Sequence, residues 1–153
     1  MGYCDANMVG GAFCPEFDIM EANKHAFRTT NHHCTSPGNG HYDWCDRAGS
    51  CTVDIITDFP DTEPYGPGPM YTINTHRQFH VKIRFIEDDQ GLFAQYRVTI
   101  SQDGKEVVMH KDCPEFLSKL TGVMQNGMAL AMSIWTDTSR ENAFDWLQHG
   151  VCD

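Results

Sequence analysis

The sequence predicts an all-β fold, an antiparallel β-sandwich with one or two short helices. Three observations carry this. Phe79, Val81, Ile83 and Phe85 alternate with mostly polar residues over 79–86, the period of a strand buried on one face. A second stretch, 92–100, leads through the turn residues Gln102-Asp103-Gly104 into a third, 105–110, the pattern of a hairpin. Strands with one apolar face, joined by short turns, stack as two packed antiparallel sheets. Further on, the apolar run Met128 to Trp135 is too short to cross a bilayer and reads as a buried core strand.

Size and composition bound the function. A chain of 153 residues suits one domain, which at this size buries roughly 68–70% of its unfolded surface. The formal net charge of −10 argues against a nucleic acid or an anionic membrane as partner and suits a neutral substrate. Seven cysteines without a CxxC pair fit a secreted protein. Met1-Gly2-Tyr3-Cys4, however, has neither the basic start nor the apolar stretch of a secretory signal. The expectation is a piece of a secreted, extracellular protein whose beginning lies outside this sequence.

Taken in order, the chain first shows its chemistry at Glu16-Phe17-Asp18-Ile19-Met20-Glu21. On a strand, Glu16 and Asp18 share one face and Phe17 and Ile19 the other. Glu21 is out of phase and joins the acids only if the strand bulges or bends after Ile19. Acids crowded on one face repel one another and raise at least one pKa. A solvated acidic edge is the plain alternative. Glycosidic cleavage with retention uses such a set: one ionised carboxylate as nucleophile and one protonated acid, about 5–5.5 Å apart.

Residues 24–51 are loop-rich, with Ser36-Pro37-Gly38-Asn39-Gly40 the clearest turn cluster. The histidines and cysteines here raise the question of a metal. Cys45 and Cys51 are too far apart for zinc spacing and His32-His33 are adjacent, so no metal site is expected. Residues 114–121 read as a short helix with Pro114 in its first turn.

Pro15-Glu16-Phe17-Asp18-Ile19-Met20-Glu21-Ala22-Asn23 resembles the active-site strand of glycoside hydrolase family 7, the fungal-type cellulases, whose motif reads Glu-x-Asp-x-x-Glu-Ala-Asn. The family usually carries Trp at the place of Met20. Gly2-Tyr3-Cys4-Asp5-Ala6, Thr30-Asn31-His32-His33-Cys34, Tyr65-Gly66-Pro67-Gly68 and Asn142-Ala143-Phe144-Asp145-Trp146-Leu147 resemble further family segments, in the right order. The resemblance runs over nearly the whole chain and corresponds to the central part of a family catalytic domain, without its N-terminal and C-terminal parts.

The resemblance implies a concanavalin A-like jelly roll, here partial, and a retaining endo-β-1,4-glucanase. It implies Glu16 as nucleophile, Glu21 as acid and then base, and Asp18 as the group that orients Glu16. His32 would line the leaving-group side, and Trp135 and Trp146 would be platforms for the apolar faces of sugar rings. It also implies the disulfides Cys4–Cys14, Cys34–Cys45 and Cys51–Cys113, with Met8 and Phe13 replacing a fourth pair and Cys152 left over. The short Thr35–Trp44 segment and the lack of Arg between Thr52 and Pro64 resemble open-cleft endo-acting members. The expected partner is a β-glucan polysaccharide, with no cofactor. A catalytically inert or merely carbohydrate-binding sandwich is the alternative from another class.

Overall fold

The computed structural model describes residues 3–35, 41–136 and 145–152, with only the backbone described from Trp135 onward. The turn cluster 36–40, the stretch 142–144, and the side chains of Trp135, Trp146 and Cys152 therefore lie outside the described residues. In chain order the strands are β1 (Glu16–Ala22), β2 (Phe27–His32), β3 (Ser50–Asp54), β4 (Tyr65–Gly66) and β5 (Ile73–Asn74). They continue with β6 (His80–Glu87), β7 (Phe93–Gln102), β8 (Lys105–Asp112), β9 (Ala129–Thr136) and β10 (Asp145–Cys152). Two antiparallel sheets form the layers, a large one ordered β3-β2-β1-β10-β9 and a smaller β6-β7-β8 meander. The short β4 and β5 pair in parallel beside them.

The meander arises where the alternation predicts it. Gln102 and Lys105 close the β7–β8 hairpin, and Asp103 and Gly104 both adopt positive φ (50° and 78°), the two-residue turn whose twist suits paired strands. The layers meet on aromatic contacts: the Phe17 ring centre lies 5.2 Å from that of Phe85 and 5.3 Å from that of Tyr96. Phe27, Val53, Val98, Ile100 and Met109 complete the centre of the core. The Tyr96 hydroxyl accepts from Val53 N–H (3.1 Å) and meets the carbonyls of Cys51 and Thr29. It thereby satisfies backbone groups freed where the β2–β3 register shifts.

One expectation fails here. The Met128–Trp135 run forms β9, but not as a buried strand: Leu130, Met132 and Ile134 are 62%, 71% and 79% exposed. The small sheet packs on the β1–β3 side of the large one, and among the described residues no layer covers β9. An apolar run marks a strand, but whether a second sheet reaches it is decided elsewhere in the chain.

Two helical regions are present among the described residues. The first, α1 (Ile55–Asp58), is capped by Asp54, whose carboxylate accepts the Ile56 N–H (3.0 Å). The second begins at Pro114 as expected but runs further: α2 (Pro114–Leu117), a 3₁₀ turn (Ser118–Leu120) and α3 (Thr121–Asn126), ending at Gly127 with φ 95°. Thr121 does not stop it, because its hydroxyl accepts the Phe93 N–H (3.0 Å) and anchors the turn to β7. No helix is long and apolar enough to cross a membrane among the described residues. Disulfides join Cys4 to Cys14, Cys34 to Cys45 and Cys51 to Cys113.

Candidate active site

The acids of β1 are brought together by a fault in the ladder. Glu16 pairs with His32, Phe17 with Asn31 and Asp18 with Thr30, but the next pairing is Glu21 with Arg28. The step from Asp18 to Glu21 outruns the matching step on β2, so one extra residue bulges at Ile19–Met20. The cause is in the sequence: Ile19 and Met20 are consecutive apolar residues, and both pack against the core. After the bulge Glu21 lines the same cleft as Asp18, and Thr30 Oγ1 donates to its Oε2 (3.0 Å).

Asp18 is the hub of the set. His32 Nε2 lies 2.9 Å from Asp18 Oδ2, and Nδ1–H donates to the Asp46 carbonyl (2.7 Å), so both ring nitrogens are held. Glu16 shares a hydrogen bond with Asp18 and accepts the Ala6 N–H at Oε2 (3.1 Å). Asp5 positions that amide by folding the loop around its own carboxylate, which accepts from Asn7 N–H and Val9 N–H (both 2.9 Å). Glu16 and Asp18 are each 1% exposed and His32 is 6% exposed.

This burial sets the protonation. Burial first, then the charge of Asp18 and the hydrogen bond with it, push Glu16 from 4.5 up to about 8, against the pull of the Ala6 N–H and His32. Burial and the Asp18 charge also raise Glu21, opposed by the Thr30 hydroxyl, His32 and Arg28. For His32 burial disfavours the charge, but the hydrogen bond and charge of Asp18 outweigh it, helped by the Asp46 carbonyl and Glu16. The imidazole is held up at about 9. The site thus sets two carboxyl groups of raised pKa, Glu16 and Glu21, on either side of Asp18 and beside a cationic ring.

The acids open onto a cleft of about 600 Å³. Asp18, Glu21, Thr30 and His32 line it, together with Tyr3 and Arg47. Glu16 is not among the lining residues, because the Cys4–Cys14 loop lies against it through Ala6. Among the described residues no group of three or more His, Cys, Asp or Glu side chains is placed to hold a metal ion. The loop cysteines that raised the question are spent in disulfides.

Residues 2–116 match the profile of glycosyl hydrolase family 7. The chain belongs to that family. Endoglucanase type C of Fusarium oxysporum is 30% identical over 205 residues, covering 99% of this chain and 46% of that protein. Endoglucanase EG-1 of Trichoderma longibrachiatum is 28% identical over 177 residues, covering 97% of this chain and 36% of its own. Among solved structures, a double mutant of the Humicola insolens endocellulase EGI matches with a TM-score of 0.66 at 19% identity, over 100% of this chain and 45% of that one. An endoglucanase I complexed with cellobiose matches with a TM-score of 0.59 at 22% identity, over 99% of this chain and 45% of that one. The structural matches establish a shared sandwich fold, and this chain spans less than half the length of these relatives.

Within this family 7 chain the residues singled out in the sequence divide into two groups. Glu16, Asp18, Glu21 and His32 come together on neighbouring strands. Trp135 and Trp146 are register partners on β9 and β10, but their side chains lie outside the description. Sequence reasoning missed Tyr3, Thr30 and the Ala6 amide. Tyr3 and Thr30 stand inside the two family-like segments that had drawn notice only for other residues. The Ala6 contact is made by backbone and leaves no residue signature.

Proposed function

We propose that this chain carries the catalytic strand of a retaining endo-β-1,4-glucanase acting on cellulose or a related β-glucan. The observation that supports this most is the bulge, which gathers Glu16, Asp18 and Glu21 at one site with the pKa of Glu21 raised. Glu21, protonated, gives its proton to the glycosidic oxygen as that bond breaks, while a Glu16 oxygen bonds to the anomeric carbon. Glu21 then takes a proton from water, whose oxygen displaces Glu16 and regenerates both groups. Glu16 must be ionised to attack, which burial and the charge of Asp18 oppose, so the attack draws on the ionised fraction of Glu16. His32, fixed at both nitrogens, offsets the charge beside Asp18. Two carboxyl groups suffice, so the reading requires no cofactor.

Secretion is supported by three disulfides in one small domain. A β-glucan ligand is supported by family membership and by the relative whose structure holds cellobiose. A second reading, a sandwich that binds glycan without cleaving it, is favoured by the burial of Glu16 behind Ala6. Hydrolysis of a chromogenic aryl β-cellobioside separates the two. Aryl release by the parent and none by Glu16→Gln is the expected result. Silence from a folded parent that still binds cello-oligosaccharide refutes catalysis by this chain and selects the binding reading.

A further inference from the structure

We propose that Arg47 makes this cleft selective for β-1,4-linked glycans that carry carboxylate groups, such as sugars oxidised at C6, an inference that rests on the β-glucan reading above. Two guanidinium groups line the cleft, those of Arg28 and Arg47. Arg28 is already engaged: its Nε and Nη2 donate to Asp54 Oδ2 (3.2 and 2.8 Å). Arg47 has no such partner. The Lys and Arg ion pairs among the described residues are Arg28–Asp54, Arg77–Asp103 and Lys111–Asp58, and Arg47 stands in none of them. Its guanidinium carbon instead lies 5.3 Å from the centre of the Phe13 ring, a cation–π contact. The N–H edge of a planar guanidinium matches a carboxylate fork to fork.

The mounting of Arg47 ties it to the reacting groups. It sits in the turn that follows Asp46, and Gly49 N–H closes that turn on the Asp46 carbonyl and carboxylate (3.3 and 3.2 Å). The same Asp46 carbonyl holds His32 Nδ1 (2.7 Å), so one short segment orients both His32 and the base of Arg47. A glycan chain laid over the acids therefore passes Arg47 at a set distance along its length. The protein carries a net charge of −10, which opposes an anionic ligand almost everywhere on its surface. Of the carboxyl groups that line the cleft, Asp18 is held by His32, Asp5 by the Asn7 and Val9 amides and Glu21 by the Thr30 hydroxyl, while Arg47 stands in no ion pair among the described residues.

The test compares a neutral cello-oligosaccharide with the same oligosaccharide oxidised to carry C6 carboxylates. Binding is measured by calorimetry in the Glu21→Gln background, so that turnover does not consume the ligand. The expected result is tighter binding of the oxidised glycan at low salt, by about twofold to fivefold for one exposed charge pair. That preference should disappear at about 1 M salt, where the screening length is near 3 Å. It should disappear in Arg47→Gln and persist in Arg47→Lys, both at an exposed turn position that leaves the core untouched. Equal affinity for the two glycans, or a preference that survives Arg47→Gln, overturns the proposal while the β-glucan reading stands. Binding of neither glycan overturns that reading, and this proposal with it.

Discussion

Replacing His32 by Gln should change how stability depends on pH, and the size of the change follows from the site. His32 is 8% exposed in its side chain and is held by Asp18 and the Asp46 carbonyl. Its pKa stands at about 9 against an ordinary 6.5. At about 1.4 kcal/mol for each pH unit, that difference corresponds to a stabilisation on the order of 3 kcal/mol. Because the folded ring holds its proton more tightly than the unfolded one, the stabilisation is complete below pH 6.5 and is lost as pH climbs through 9. Glu16, raised from 4.5 to about 8, acts in the same sense over a lower window, so the parent should lose stability steadily from mildly acid to alkaline pH. Urea unfolding between pH 6 and 10 measures this as a falling midpoint at constant slope. His32→Gln should be far less stable than the parent near pH 6, and the gap should narrow by roughly 3 kcal/mol towards pH 10. A gap independent of pH, or an imidazole that titrates near 6.5 by NMR, would refute the claim that Asp18 holds this ring as a cation.

Three further outcomes are expected. Thr30→Val removes the hydroxyl that lowers the Glu21 pKa, so the alkaline limb of a pH–rate profile, where the acid is lost, should move upward; an unmoved or lowered limb would exclude Glu21 as the acid. Replacing Cys51 and Cys113 together by Ala opens a link of sequence separation 62 and should cost about 4 kcal/mol in chemical denaturation, by the chain-entropy relation; a loss below about 1 kcal/mol would show that the unfolded chain is little constrained by it. Met132→Glu places a charge on exposed apolar β9 and should reduce dye binding and aggregation while leaving the unfolding midpoint nearly unchanged; a marked fall in stability would mean that Met132 is buried in solution.

Much of the site could be read from the chain before any fold was known. The need for a bulge followed from the spacing alone, since Glu21 is out of phase with Glu16 and Asp18 on any regular strand. The register then places it where two successive apolar residues, Ile19 and Met20, both turn to the core. Alternation predicted β6, β7 and β8 closely because each has one face on the core and one in water, the condition under which a strand writes its orientation into its residues. The β9 run carried no such record. Apolar side chains at 130, 132 and 134 announce a strand but say nothing of what lies above it.

The residue types and spacings of this chain determined the sandwich class, the three acids, His32 and the family, all of which rest on local pattern or on order along the chain. Tertiary structure alone decided the protonation of that set. A carboxyl group carries the same formula at Glu16 as on any surface, and only burial under the loop and the neighbouring Asp18 drive its pKa up to about 8, against the pull of the Ala6 amide. The same holds for Arg28 and Arg47, alike in sequence but paired and unpaired in the cleft. Solvation and charge act through space, over a few ångströms between residues far apart in the chain, and no pattern along the chain records those distances.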